Sequence, residues 1–377
     1  MNIKIDKKDD IVLKILHYFI TEEDYKPVII NGLDNEIWLE NMEKDLKLIR
    51  INNNYIHNEE QLKADTFKAK NIMNSIKKTT FSINMNMLNL LLDVREDVKV
   101  TESKNMETVI VDKINDFKKN KVVEEFFPKV KNSVLSDKMD PIEFFKLTED
   151  MNLKTIKNEK KLAKIFSPKK PTVTYSLIVI NVVIFMLLRV LDSDGSLFNL
   201  FVNFKPLVKS GQIYRLVTSM FLHYDVIHLL FNMVALYNLG PQVERYYGKK
   251  RFILIYFISG ILASIFSCVF MNNNTTSAGA SGAIFALFGC IIYFSYYYRA
   301  TIQGVLRSQI MPTLVINMLL PIFIPGIGVA AHIGGFIGGL LMAMAIGIGD
   351  KSRKNDEING VVVLIAIFVF MIYMLMR

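Results

Sequence analysis

Two side chains in this 377-residue sequence could perform covalent chemistry within apolar surroundings. They are the hydroxyl of Ser281, in GASGAIFALFG at 279–289, and the imidazole of His332, in AAHIGGFIGG at 330–339. A serine hydroxyl is a weak nucleophile until a neighbouring imidazole accepts its proton, so the chemistry open to this pair is acyl transfer. The oxyanion formed in such a reaction needs hydrogen-bond donors. The N–H of Ser281 near a helix start can supply one, and the Asn232 amide and His228 ring, in HLLFN at 228–232, are the side-chain candidates.

The helical rise of 1.5 Å per residue converts spacing into depth. Ser281 precedes Arg299, the next charge, by 18 residues, and His332 precedes Asp350 by 18, so each sits about 27 Å from its charge. His228 precedes Glu244 by 16 residues, about 24 Å, with Asn232 one turn deeper at about 18 Å. Three helices therefore bring their polar groups to one layer. No Asp or Glu lies at that depth to orient His332, which implies a dyad rather than a triad. Taken singly, each residue has a plainer role. Ser281 reads as a helix cap, His332 as a histidine bonded to backbone, GGFIGG as a packing motif and Asn232 as interhelical glue. His223 reads as a loop histidine and Asp225 as the N-cap of its helix. Gly335 and Gly339 share the face of His332, and Gly282, Ala286 and Gly289 repeat at similar spacing after Ser281, so the two helices can approach closely.

The elements that must hold these groups are membrane spans. The first 170 residues are rich in Lys, Asp, Glu and Asn, whereas from Val173 onward long apolar stretches recur. Seven spans are expected, at 174–192, 223–241, 252–271, 281–298, 310–326, 331–348 and 360–376. The basic segments KKLAKIFSPKKP, ERYYGKKR, YYYRATIQGVLR and DKSRK all fall on one side, which makes that side the inside. The N-terminus, without a signal-peptide core, is then cytoplasmic and the C-terminus outside. Residues 193–222 should form short amphipathic pieces at the outer interface, and Arg189 should snorkel. Pro312, Pro321 and Pro325 make span 5 prone to kinking and the candidate for a lateral gate.

Residues 1–165 are expected to form a small soluble α/β domain, with helices over 9–19 and 59–76 and strands at 46–52 and 81–87. A juxtamembrane linker spans 166–173, the six-helix core 174–348, and a loop with the seventh span 349–377. The net charge of +9 belongs to lysines beside the spans, with no aromatic-interleaved basic stripe for nucleic acid. Cys268 and Cys290 lack metal-type spacing, and neither HExxH nor a phosphate-binding GxxxxGK[ST] occurs, so no metal or cofactor is expected. The motifs YD at 224–225 and GIGD at 347–350 match those of aspartyl proteases, but a bilayer thickness separates the two carboxylates.

GASG at 279–282, HLLFN at 228–232 and AHIGG at 331–335 together resemble the rhomboid family of intramembrane serine proteases. The resemblance covers about residues 174–348, with the last helix similar to the seventh span of the six-plus-one bacterial type. It implies Ser281 as nucleophile, His332 as general base, and His228 with Asn232 as oxyanion side chains. Phe285 falls where an aromatic packs on the catalytic imidazole, many members having Tyr there. Arg215, after Tyr214 in place of Trp, and Glu244 fall at structural positions. The implied activity is cleavage of single-span membrane proteins near the outer face, in a segment that unwinds from helix, with the lipid bilayer as medium. The Lys-, Asn- and Ile-rich usage suggests a bacterial inner membrane. A rhomboid-like adaptor that hands membrane clients to degradation machinery is the alternative, and a cytoplasmic partner for the head is left open. A transporter fits less well, because no span interior holds Asp, Glu or Lys.

Overall fold

A computed structural model describes residues 7–377 except 31, 81, 83, 101–102, 133–140, 168, 306–307, 309, 324–327 and 350–351. The chain forms two compact units, Met1–Lys164 and Ile165–Arg377. In the first, β1 (Lys26–Val28), β2 (Glu36–Glu40), β3 (Leu48–Asn52), β4 (Met87–Leu91) and β5 (Met106–Ile110) form one sheet in that order. β1 to β3 are antiparallel, while β3, β4 and β5 run parallel. The helices are α1 (Lys7–His17), α2 (Glu59–Thr79), α3 (Ile114–Lys118), α4 (Lys121–Phe126) and α5 (Pro141–Phe166).

Alternate residues of a strand face opposite sides. In β3, Ile49 and Ile51 join a core with Phe19, Phe117 and Phe127, while Leu48 joins Trp38 and Met73 on the α2 side. Arg50 also lies toward α2 and is fully buried. Its guanidinium grips both oxygens of Asp65 at 2.7 and 2.6 Å and reaches Glu36 at 2.9 Å, which satisfies a charge too costly to bury alone. The strand expected at 81–87 is misplaced. The sheet uses Met87–Leu91, buried on both faces, so that it reads as an apolar run broken only by Asn89 rather than as an alternation. Phe81 and Ile83 lie outside the described residues.

The second unit contains α6 (Thr172–Leu191), α7 (Ser196–Phe201), β6 (Asn203–Phe204), α8 (Lys205–Lys209), α9 (Arg215–Thr218), α10 (Val226–Tyr247) and α11 (Lys249–Phe270). It continues with β7 (Thr276–Ser277), α12 (Ser281–Val305), α13 (Met311–Phe323), α14 (Val329–Ile346) and α15 (Lys354–Met376). Among the described residues, α6, α10, α11, α12, α14 and α15 are long and apolar enough to cross a membrane. The chain is a multi-pass membrane protein, mostly helical, with a small sheet in its N-terminal region. The expected fifth span is represented by α13, whose 13 residues extend about 20 Å; Pro325 lies outside the described residues. α15 begins six residues earlier than the expected span, with Asp356 bonded to the Tyr297 hydroxyl at 2.6 Å and Glu357 beside it in the first turn.

α12 is the most enclosed span and packs on α10, α11 and α14. The Glu244 carboxylate, buried at the end of α10, accepts from the N–H groups of Val173 and Thr174 at 3.1 and 2.8 Å and from the Thr174 hydroxyl at 2.8 Å. It thereby caps the start of α6, where free backbone N–H groups concentrate. Arg215 staples the 193–222 loop from within, donating to the carbonyls of Asn199 and Val202 at 2.7 and 2.8 Å and to Gln212 at 2.7 Å.

Candidate active site

Ser281 is the first residue of α12, and the first helical bond runs from Ile284 N–H to the Ala280 carbonyl at 3.0 Å. Ala280 therefore takes the capping place expected of Ser281. Ser281 stands one residue inside, where a helical N–H has no intrahelical acceptor. The segment before it is tied down three ways. β7 pairs with β6, the Gly279 N–H donates to the Ser219 carbonyl at 2.9 Å, and the Thr276 hydroxyl bonds Tyr224 Oη at 3.0 Å. Gly279 has φ +126°, and a Cβ there would sit 2.8 Å from His228 Nε2 and 3.7 Å from Asn232 Nδ2. Only glycine allows both that backbone conformation and the ring beside it.

The α10 side chains are set from its first turn. Asp225 is the N-cap, accepting from His228 N–H at 2.8 Å, and Asn232 Nδ2 donates to the His228 carbonyl at 3.0 Å, one turn back. A primary amide has two donors, so this bond orients Asn232 and leaves one for a ligand. The His228 ring lies between Tyr224, nearly parallel at 6.0 Å, and buried His223, edge-on at 5.1 Å. Exposed Arg189 donates to the Tyr224 carbonyl at 2.8 Å and lies over the Phe185 ring at 4.9 Å. Tyr224 and Thr276 were not among the sequence candidates. The one available hint was an aromatic inside HYD, adjacent to a histidine in sequence.

On α14, His332 is buried and its ring stacks on Phe285, with centroids 4.1 Å apart and planes 11° from parallel. Phe285 follows Ser281 by one helical turn, so ring and hydroxyl share a face of α12. The helix backbones touch through small residues. A Cβ on Gly335 would collide with the Gly282 carbonyl oxygen, and one on Gly339 with the Ala286 backbone. On Gly282 it would lie 2.6 Å from the Ala263 Cβ, and on Gly289 2.6 Å from Leu340 N. No hydrogen bond joins Ser281 to His332 here, and His332 Nδ1 is buried without a partner, so the short bond expected from the glycine pattern is not closed. Such bonds commonly tighten only when substrate arrives. Cys268 and Cys290 are free and buried, with Cys290 Sγ donating to the Gly339 carbonyl at 3.2 Å. Among the described residues no group of three His, Cys, Asp or Glu could hold a metal ion.

A polytopic helical bundle that gathers a serine, two histidines and an asparagine at one glycine-packed junction defines a membrane protein carrying serine-hydrolase side chains. Residues 210–348 match the family model of the Rhomboid domain. The chain is 38% identical over 148 residues to the putative rhomboid protease YdcA of Bacillus subtilis, covering 39% of this chain and 73% of that protein. It is 29% identical over 362 residues to rhomboid protease GluP of the same organism, covering 92% of this chain and 71% of that one. RHOMBOID-like protein 4 of Arabidopsis thaliana is 34% identical over 157 residues, 41% of this chain and 40% of that protein. The chain belongs to the rhomboid family of intramembrane serine proteases.

Proposed function

We propose that this protein cleaves single-span membrane proteins through a Ser281–His332 dyad and a covalent acyl-enzyme. The observation that carries the reading is the stack of His332 on Phe285, one turn from Ser281, at a junction where Gly282, Gly335 and Gly339 bring the two helix backbones into contact. In acylation, His332 takes the Ser281 proton as Oγ attacks the scissile carbonyl, and the C=O electron pair moves onto oxygen. The oxyanion is met by the Ser281 N–H, the second Asn232 donor and the His228 ring. Collapse expels the amine, which receives the proton from His332, and water then repeats the sequence to release the acid. A helical peptide bond is shielded by its neighbours and its own hydrogen bonds, so the substrate segment must unwind, and water must reach the dyad from the outer face.

The same reading assigns Gly279, Gly282, Gly335, Gly339 and Phe285 to close packing, and Arg215 and Glu244 to holding the loop and the α6–α10 junction. It places the protein in a bacterial cell membrane with residues 1–165 in the cytoplasm, 166–173 as linker, 174–348 as the core, 349–377 as loop and last span, and the C-terminus outside. The positive segments flanking the spans support that orientation. The test is cleavage of a model single-span substrate in vesicles. Ser281→Ala and His332→Ala should each abolish it, and a fluorophosphonate should label wild type but not Ser281→Ala. Full cleavage by either variant overturns the dyad, whereas absence of cleavage by the wild type leaves client binding as the activity to measure.

A further inference from the structure

We infer that α5 is a two-faced helix whose outer face rests on the anionic lipid surface from which α6 enters the membrane. One face belongs to its own unit. Met151 packs against the head core, and Lys154 donates to the Thr21 carbonyl at 3.2 Å and pairs with Asp24 at 2.6 Å. At 100° per residue the opposite side holds Glu149 and Lys160 and, within the same arc of roughly 80°, Ile142, Phe145, Leu153 and Ile156. These four are 79%, 61%, 58% and 46% exposed, too much apolar surface in one stripe to be incidental.

Charge and connectivity identify the occupant. From Lys154 to Lys170 the chain carries seven lysines and one acid, Glu159. Exposed Lys157 borders the stripe and exposed Lys160 continues it one turn on, and Lys169 and Lys170 carry the charge into the linker. Five residues separate the end of α5 at Phe166 from the start of α6 at Thr172, and they span at most about 20 Å. The basic half of the helix is thus tethered at the bilayer surface. An apolar stripe bordered by lysines, whose stems lie along the acyl boundary while the ammonium groups reach phosphate, is the chemistry of an interfacial helix. A polypeptide partner would have to compete with lipid that the tether always supplies.

The test uses the full chain reconstituted in vesicles of phosphatidylcholine alone or with phosphatidylglycerol. An environment-sensitive dye is placed at Ile156→Cys, and separately at half-buried Asn158→Cys on the opposite side of the helix; the native cysteines are both buried. The readouts are quenching by brominated lipid and by aqueous iodide. In phosphatidylglycerol vesicles the Ile156 dye should be quenched by bromolipid several-fold more than the Asn158 dye. That difference should disappear in Lys157→Gln/Lys160→Gln and in about 1 M salt, which screens the attraction without any mutation. Equal bromolipid quenching with and without phosphatidylglycerol overturns the anionic requirement. Quenching by iodide alone overturns membrane contact, and protection from both quenchers shows that protein covers the face instead. None of these readouts depends on proteolysis, so the inference stands or falls apart from the dyad.

Discussion

Substitution of Gly335 by Ala tests the junction most directly, because the added methyl meets backbone. The obstructing atom is the Gly282 carbonyl oxygen, which cannot rotate away as a side chain would. Restoring a van der Waals separation requires α12 and α14 to part by on the order of 1 Å at the level of Ser281. Overpacking of this kind costs about 1–3 kcal/mol of stability. The catalytic cost is separate, since a misplacement near 1 Å between reacting groups is worth about 100-fold in rate, or about 2.7 kcal/mol. Gly338→Ala is the matched control. It lies on the α11 side of α14, where a Cβ would be 3.1 Å from the Ser259 Cβ and 3.2 Å from Leu262 Cδ2, so it crowds the helix without separating the pair. With a fluorogenic single-span substrate in vesicles, Gly335→Ala should lose about 100-fold or more in kcat/KM, and Gly338→Ala less than about 5-fold. Fluorophosphonate labelling of Ser281 should slow in parallel. If Gly335→Ala cleaves within about 5-fold of wild type, or if Gly338→Ala is equally impaired, close approach of the two backbones is not what sets the dyad.

Removing the Tyr224 hydroxyl in Tyr224→Phe keeps the stack on His228 but frees the segment before Ser281 from Thr276. One neutral hydrogen bond predicts a fall in kcat of about 5-fold, matched by Thr276→Val and not deepened in the double variant; additive losses would refute the coupling. Glu244→Gln withdraws the charge that caps α6 and should lower stability by about 1–2 kcal/mol, read as a lower melting temperature with cleavage retained at low temperature. In the head, burial tends to raise the Glu36 carboxyl, but hydrogen bonds from Arg50 and Lys68 outweigh it and hold the group below its ordinary value of 4.5. A depressed carboxyl contributes stability that is full above about pH 4.5 and is lost as pH falls through the folded value. Hydrogen-exchange protection factors at β3 amides, corrected for the intrinsic pH dependence of exchange, should therefore fall on acidification in wild type and much less so in Glu36→Gln.

Spacing along the sequence carried the site further than it carried the head. A membrane span has one long apolar signal and a fixed rise, so a common level for Ser281, His332, His228 and Asn232 could be expected from charges alone. Gly335 and Gly339 were legible for the same reason, since a helix face repeats every three or four residues. The capping place of Ala280 was not legible, because helix ends are uncertain by a residue or two. The ties through Ser219, Tyr224 and Thr276 join segments far apart in sequence, and neither periodicity nor propensity points from one to the other. In the head, β4 escaped because a strand buried on both faces loses its alternation. Arg50 escaped because a charge in mid-strand suggests a solvent face until Asp65 and Glu36 are found beside it.

On the proposed mechanism, the position of Ser281 at the start of α12 is what an oxyanion requires. A serine four residues further on would have its N–H consumed by the carbonyl one turn back, leaving a hydroxyl without its own backbone donor. A helix start in hydrocarbon is expensive for the same reason, since its first N–H groups have no water to satisfy them. The site must therefore lie where water or polar side chains approach, and the preceding chain must be fastened rather than left to fray. Segment 276–280 meets that condition by pairing with β6 and bonding Ser219 and Tyr224. His332 comes to this end from a different helix, so its distance is governed by backbone contact at Gly282 and Gly335 rather than by local sequence. Reactivity of Ser281 and packing of α14 are thus coupled, and a substitution that loosens the glycine contact should slow labelling of Ser281 even where the serine and histidine are both retained.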